Sequence, residues 1–108
     1  MDMPLEQMRT TARKAEGILK LLANEHRLLV LCQLVDGERS VGELAQNINL
    51  AQSALSQHLA RLRAEGLVQT RRESQSIYYS MKGEAIQRII GLLYDIYCGP
   101  DADRSGLA

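Results

Sequence analysis

Residues 53–68 read SALSQHLARLRAEGLV, and the spacing of their apolar side chains decides the fold. Leu55, Leu59 and Leu62 recur four and three apart, which is one stripe of a helix running from about 52 to 64. Gly66 stops it, because glycine enters the left-handed conformation that ends helices without a Cβ penalty. Turning the leucine stripe toward a core leaves Gln52, Ser53, Ser56, Gln57, Ala60 and Arg61 facing outward. Just upstream, SVGE at 40–43 fits a capping box: Ser40 accepts from the amide of residue 43, and Glu43 reaches back to the amide of residue 40. A shorter helix of about 41–47 follows, with Val41, Leu44, Ala45 and Ile48 inward, and NINL at 47–50 is the turn. Two short helices joined by a tight turn make a helix-turn-helix over about 40–64.

Downstream of Gly66 the period changes from helical to alternating. Val68, Thr70 and Arg72 alternate with Gln69 and Arg71, and Ile77, Tyr79 and Met81 alternate with Tyr78 and Ser80. This is a β-hairpin wing over about 67–81. Its turn near 73–76 lacks Asn-Gly, so a longer, mobile tip is expected. Upstream, Met8, Ala12, Ala15, Leu19 and Leu22 stripe a helix over about 5–22. Asn24 caps a second, about 25–35, whose EHRLLVLCQLV is apolar almost all round and so belongs at the centre of the domain. The last helix, about 83–97, carries Ile86, Ile89, Ile90, Leu93, Tyr94 and Tyr97 on one face. Residues 99–108 read as a polar, disordered tail. The expected architecture is mainly α with a small β-hairpin wing, in the order α-α-α-α-β-β-α: one winged helix-turn-helix domain over 1–98.

A chain of 108 residues with 45% hydrophobic side chains can bury one core, and without Phe or Trp that core must be Leu, Ile, Val, Met and Ala. No apolar run approaches the roughly 20 residues that cross a bilayer, and the N-terminus lacks an apolar signal core. A cytoplasmic protein, off the membrane, is expected. There is no C-x-x-C, nucleophile elbow, phosphate loop or acid–base pair, so no enzyme class is indicated.

The net charge is zero, but it is unevenly distributed. Residues 51–82 carry Arg61, Arg63, Arg71, Arg72 and Lys82 against Glu65 and Glu73, whereas the flanking segments are slightly acidic. A local basic face matters more to a polyanion than the total. The outward face of the 52–64 helix is small and polar, and no acid lies between Glu43 and Glu65. A helix entering the major groove needs low bulk, base-edge donors and acceptors, and no carboxylate near phosphates. Any solvated helix offers a polar face too; the helix-turn-helix order, the following hairpin and the local charge set this one apart. Arg71, Arg72, Gln75 and Ser76 on the wing are placed to reach the backbone or the minor groove. His58 lies to the side of the reading face and reads as a packed histidine.

These stretches carry a resemblance. NEHRLLVLCQL (24–34), SVGELAQNINLAQSALSQHLARLRAEGLV (40–68) and RRESQSIYYSM (71–81) closely resemble the ArsR/SmtB family of dimeric winged-helix repressors, over roughly residues 10–98. The resemblance implies DNA contacts at Gln52, Ser53, Ser56 and Gln57, an inverted-repeat duplex as partner, and a homodimer interface on the first and last helices. One departure is Ala51, where many members have a serine N-cap.

Most members sense metals through Cys or acid/His clusters. Here the helix before the turn has no Cys, the last helix has no His, and neither of the two His in the chain is beside a Cys. No metal or cofactor site is therefore expected, though a metal-sensing repressor stays as an alternative. On chemistry alone Cys32 and Cys98 read first as two small packed hydrophobes, as in a constitutive regulator. Cys32 is expected to be half-buried on the second helix, and Cys98 to lie at the end of the last. One Cys in LCQL and another just after the final Tyr resembles the persulfide- and redox-responsive repressors of the BigR/SqrR type, with their HlyU and YgaV relatives. That resemblance implies that reactive sulfur species or oxidants join Cys32 to Cys98 by a disulfide or polysulfide bridge and weaken DNA binding.

Overall fold

The computed structural model describes residues 2–100, 102–104 and 106–107. Its helices are α1 (Leu5–Leu22), α2 (Glu25–Gln33), α3 (Val41–Ile48), α4 (Gln52–Ala64) and α5 (Glu84–Cys98). Three strands, β1 (Arg39–Ser40), β2 (Val68–Glu73) and β3 (Ser76–Met81), form an antiparallel sheet in the order β1-β3-β2. A winged helix-turn-helix is therefore the observed fold.

The local signals act as read. Asn24 accepts from the Arg27 amide at 3.0 Å and starts α2. Ser40 Oγ accepts from the Glu43 amide at 3.2 Å, while the Ser40 amide donates to Glu43 Oε1 at 3.1 Å, completing the capping box of α3. Asn49, with φ 60°, turns the chain out of α3. At the end of α4 the Leu67 amide bonds Leu62 O at 2.9 Å and the Gly66 amide bonds Arg63 O at 3.0 Å, a Schellman closure around Gly66 with φ 78°.

The core is built from leucines: Leu31 of α2, Leu44 of α3, and Leu55, Leu59 and Leu62 of α4 are fully enclosed, with Val30, Val68 and Ile90 beside them. Each such side chain contributes roughly 1.5–3 kcal/mol of burial. This packing fixes the rotation of α4, and therefore which side chains face outward.

Two expectations change. The wing tip is tight: Glu73 pairs with Ser76, leaving a two-residue turn in which Ser74 adopts φ 57°. That conformation is uncommon for a residue other than glycine, which is why nothing in the sequence signals a tight turn here. The wing also has a third strand the alternation did not reveal, because β1 has only two residues, Arg39 and Ser40, paired with Tyr79 and Tyr78. Within the expected tail, Ala102–Arg104 make a short 3-10 turn; residues 101, 105 and 108 lie outside the described residues.

The apolar stripes of α1 and α5 are only partly used within one chain. Leu21 and Leu22 are buried, whereas Leu5, Met8 and Leu19 are exposed, Leu19 by 62%. On α5, Ile86 and Ile90 are buried while Leu92, Tyr94 and Tyr97 are exposed, the first two by 60% each.

Candidate nucleic-acid interface

With Leu55, Leu59 and Leu62 inward, Gln52, Ser53, Ser56, Gln57, Ala60 and Arg61 are all exposed on one side of α4. The first turn of α4 contains no acid and the last turn contains Arg61 and Arg63. Ala51 occupies the N-cap and makes no side-chain cap bond. The first amides of α4 are thus left without a side-chain acceptor, at the positive end of the helix dipole, where a phosphate oxygen is favoured. Such a face can lie in a major groove with serine and glutamine groups toward base edges.

On the wing, Arg71, Arg72, Gln75 and Ser76 are exposed, but the two arginines differ. Arg71 is held by carboxylates. Its Nε donates to Glu38 Oε2 at 3.1 Å, its Nη2 to Glu38 Oε1, and its Nη1 to Glu73 Oε2 at 2.7 Å. The guanidinium also lies 5.0 Å from the centre of the Tyr78 ring. These bonds raise the Arg71 pKa above its ordinary value and lower that of Glu38. Arg71 therefore ties the wing to the loop before β1, and its charge is opposed by two carboxylates. Arg72 has no ion pair among the described residues and is the wing cation open to a phosphate. Glu38 escaped the sequence reading because it lies 33 residues from Arg71, and only the register of the sheet joins them.

His58 is partly buried beside α2, off the reading face, with its ring 5.7 Å from that of His26 and its Nδ1 3.5 Å from Arg27 Nη1. Burial first, then Arg27, His26 and Arg61, holds its pKa below the ordinary imidazole value.

Cys32 and Cys98 are free thiols, and both are exposed. The expected half-burial of Cys32 is corrected: α2 ends at Gln33, and its far flank, with Leu29 and Val35, is open in the single chain. Partial desolvation nevertheless pushes the Cys32 thiol up, with a smaller upward push from Cys98. Cys32, Val35, Asp36, Ile90 and Tyr94 line a crevice of about 320 Å³ between the end of α2 and α5. Among the described residues no three His, Cys, Asp or Glu side chains converge to hold a metal ion, and no helix is long and apolar enough to cross a membrane.

Known proteins resemble this chain in sequence and fold. Residues 24–70, which span α2 to β2, match the model of the bacterial regulatory protein, arsR family. The transcriptional activator HlyU of Vibrio cholerae is 49% identical over 96 residues, covering 89% of each chain. Its reduced form, as a solved structure, superposes with a TM-score of 0.84 over 87% of this chain and 99% of that one. The transcriptional repressor BigR from Xylella fastidiosa is 41% identical with a TM-score of 0.79, over 89% and 98% of the two chains. A homodimeric winged helix-turn-helix DNA-binding domain, Mb0332 from Mycobacterium bovis, is 27% identical with a TM-score of 0.77, over 100% and 99%. The matching segment holds the capping box, the turn and the leucine-seated helix, and the relatives match along nearly the whole length; this chain is a transcriptional regulator of the ArsR family.

Proposed function

We propose that the chain is a homodimeric repressor that releases its operator when reactive sulfur species or oxidants join Cys32 to Cys98. The observation carrying this reading is that Cys32, a free exposed thiol on α2, shares a crevice with Ile90 and Tyr94 of α5, the helix that ends at the second free exposed thiol, Cys98. The likeness to HlyU, solved in a reduced form, and to the repressor BigR supports it. Dimerisation is supported by the exposed apolar side chains of α1 and α5 and by the homodimeric likeness of Mb0332. DNA is read by Gln52, Ser53, Ser56 and Gln57, with Arg61 and Arg72 on phosphates and Gln75 and Ser76 at the wing tip.

The switch chemistry balances with an organic persulfide, RSSH. The Cys32 thiolate attacks the outer sulfur, giving a Cys32 persulfide and RSH. The Cys98 thiolate then attacks the inner sulfur, forming the disulfide and expelling hydrogen sulfide. Two thiols and one RSSH thus become one disulfide, one RSH and one hydrogen sulfide. A raised Cys32 pKa leaves little thiolate at neutral pH, so peroxide reacts slowly and sulfur donors that hand on to a partner thiol are preferred. Mass spectrometry after organic persulfide treatment tests the reading: a Cys32–Cys98 crosslinked peptide, with loss of DNA binding that is absent in Cys32→Ser and Cys98→Ser, is expected. A single variant that still releases DNA on treatment excludes the paired switch.

A further inference from the structure

Arg27 is buried, and among the described residues it makes no ion pair. It closes the end of α1 instead. The last four carbonyls of a helix have no partner within it. In α1 the Ala23 amide takes Leu19 O at 2.9 Å and the Asn24 amide takes Leu22 O at 2.8 Å. The Arg27 guanidinium takes the other two, Nη2 donating to Lys20 O at 3.3 Å and Nε to Leu21 O at 2.5 Å. Its remaining edge points Nη1 at Nδ1 of His58, 3.5 Å away on α4. A guanidinium can only donate, so the contact is a hydrogen bond only when Nδ1 carries no proton, as in the neutral ring with its proton on Nε2. One side chain therefore joins the end of α1, its own helix α2, and α4.

We propose that the Arg27–His58 contact is a positioning element for DNA reading: the neutral ring seats α4, and protonation of the ring unseats it and weakens DNA binding in mildly acidic solution. This rests on α4 being the DNA-reading helix. Gln57 precedes His58 directly, Ser56 lies two before it and Arg61 three after, so any shift at His58 moves the reading face. The charged and titratable groups facing the ring are Arg27 and His26 from α2, and Arg61 from α4 itself. None is a carboxylate that could stabilise a second proton. A protonated Nδ1 loses its bond from Arg27 and sets two cations at the contact, which moving α4 away from α2 relieves. Because these neighbours and burial hold the His58 pKa below the ordinary value, the neutral form prevails at neutral pH. Binding is therefore full above the His58 pKa and lost below it. Generic electrostatics runs the other way, since added positive charge strengthens binding to a polyanion.

The test uses the wild-type protein and the duplex it selects from a random-sequence pool at pH 8. Affinity is read by fluorescence anisotropy from pH 8 to 5.5 at constant ionic strength. Each linked proton costs up to about tenfold per pH unit below the His58 pKa, so a loss of affinity that sets in at that pKa and steepens as the pH falls is expected. The His58 ring, followed by NMR in the wild-type protein, should protonate in step with that loss. His58→Gln should flatten the profile, and His26→Gln should keep it. Affinity that stays level or rises while the His58 ring is seen to protonate overturns the proposal, as does a flat profile in His26→Gln. Failure to enrich any duplex overturns DNA reading and this proposal with it, whereas an enriched duplex bound without pH dependence removes only the positioning role.

Discussion

The two wing arginines are neighbours in sequence, and the structure separates their roles in a way salt dependence can measure. Arg72 is exposed and unpaired among the described residues. Arg71 sits between Glu38 and Glu73, a triad whose formal charge is −1. A phosphate meeting Arg72 displaces counterions, whereas one meeting the triad faces two carboxylates as well. Removing one phosphate contact changes the slope of log affinity against log salt by about 0.9. Between 50 and 200 mM salt this amounts to about 3.5-fold per wing, or about 12-fold if a dimer engages both wings. Arg72→Ala should therefore flatten the slope by about one phosphate equivalent per wing and weaken all duplexes alike. Arg71→Ala should weaken binding by freeing the wing from Glu38 and exposing two carboxylates, with the slope unchanged. Titrations of both variants at four salt concentrations, on the selected duplex and on random DNA, decide the matter. A slope as flat in Arg71→Ala as in Arg72→Ala refutes the reasoning, because Arg71 would then leave its carboxylates for phosphate in the complex.

Gln57→Ala and Ser56→Ala should relax base preference, each by about 1–3 kcal/mol where a base contact is lost; equal losses on selected and random DNA would sink the base-reading role. Ala51→Ser supplies the missing N-cap of α4 and should raise unfolding free energy by about 1 kcal/mol in chemical denaturation, and no gain means the first amides of α4 are already satisfied. Leu19→Glu combined with Leu92→Glu puts charge on the exposed apolar faces of α1 and α5, and sedimentation should shift from dimer to a 12.1 kDa monomer; an unchanged dimer would place the interface elsewhere.

What could be read from sequence was what neighbours in sequence decide. The capping box at Ser40, the Asn24 cap and the Gly66 closure each involve residues within about five positions, and all three act as read. The leucine stripe of α4 was legible for the same reason, and it fixed which side chains form the outward face. The wing tip was misread because Ser74 takes a positive φ without the usual Asn-Gly signal. Contacts across the fold stayed hidden. Glu38 meets Arg71 only through the sheet, and Arg27 meets His58 only because α2 crosses α4, 31 residues apart. Cys32 was expected to be half-buried because its helix is apolar all round, yet α2 ends one residue later with that flank open.

These hidden contacts make α2 the common element of the molecule. Arg27 and Cys32 are five residues apart, about 500° of rotation, so they leave this nine-residue helix on different flanks. One flank is bonded to the end of α1 and to α4; the other faces Ile90 and Tyr94 of α5. The proposed bridge would close a loop of about 67 residues and restrict the unfolded chain by roughly 4 kcal/mol. That quantity does not by itself move DNA affinity, since a constraint felt equally by the DNA-competent and DNA-released shapes shifts nothing. Only the difference counts, and about 1.4 kcal/mol of difference is already tenfold in affinity. The bridge can make that difference by drawing the end of α2 toward α5. Arg27, on the same helix, would then carry the displacement to His58 and the reading face. Sulfur chemistry on one flank and proton chemistry on the other would thus act on α4 through one short helix, with no ligand touching the DNA-reading side chains.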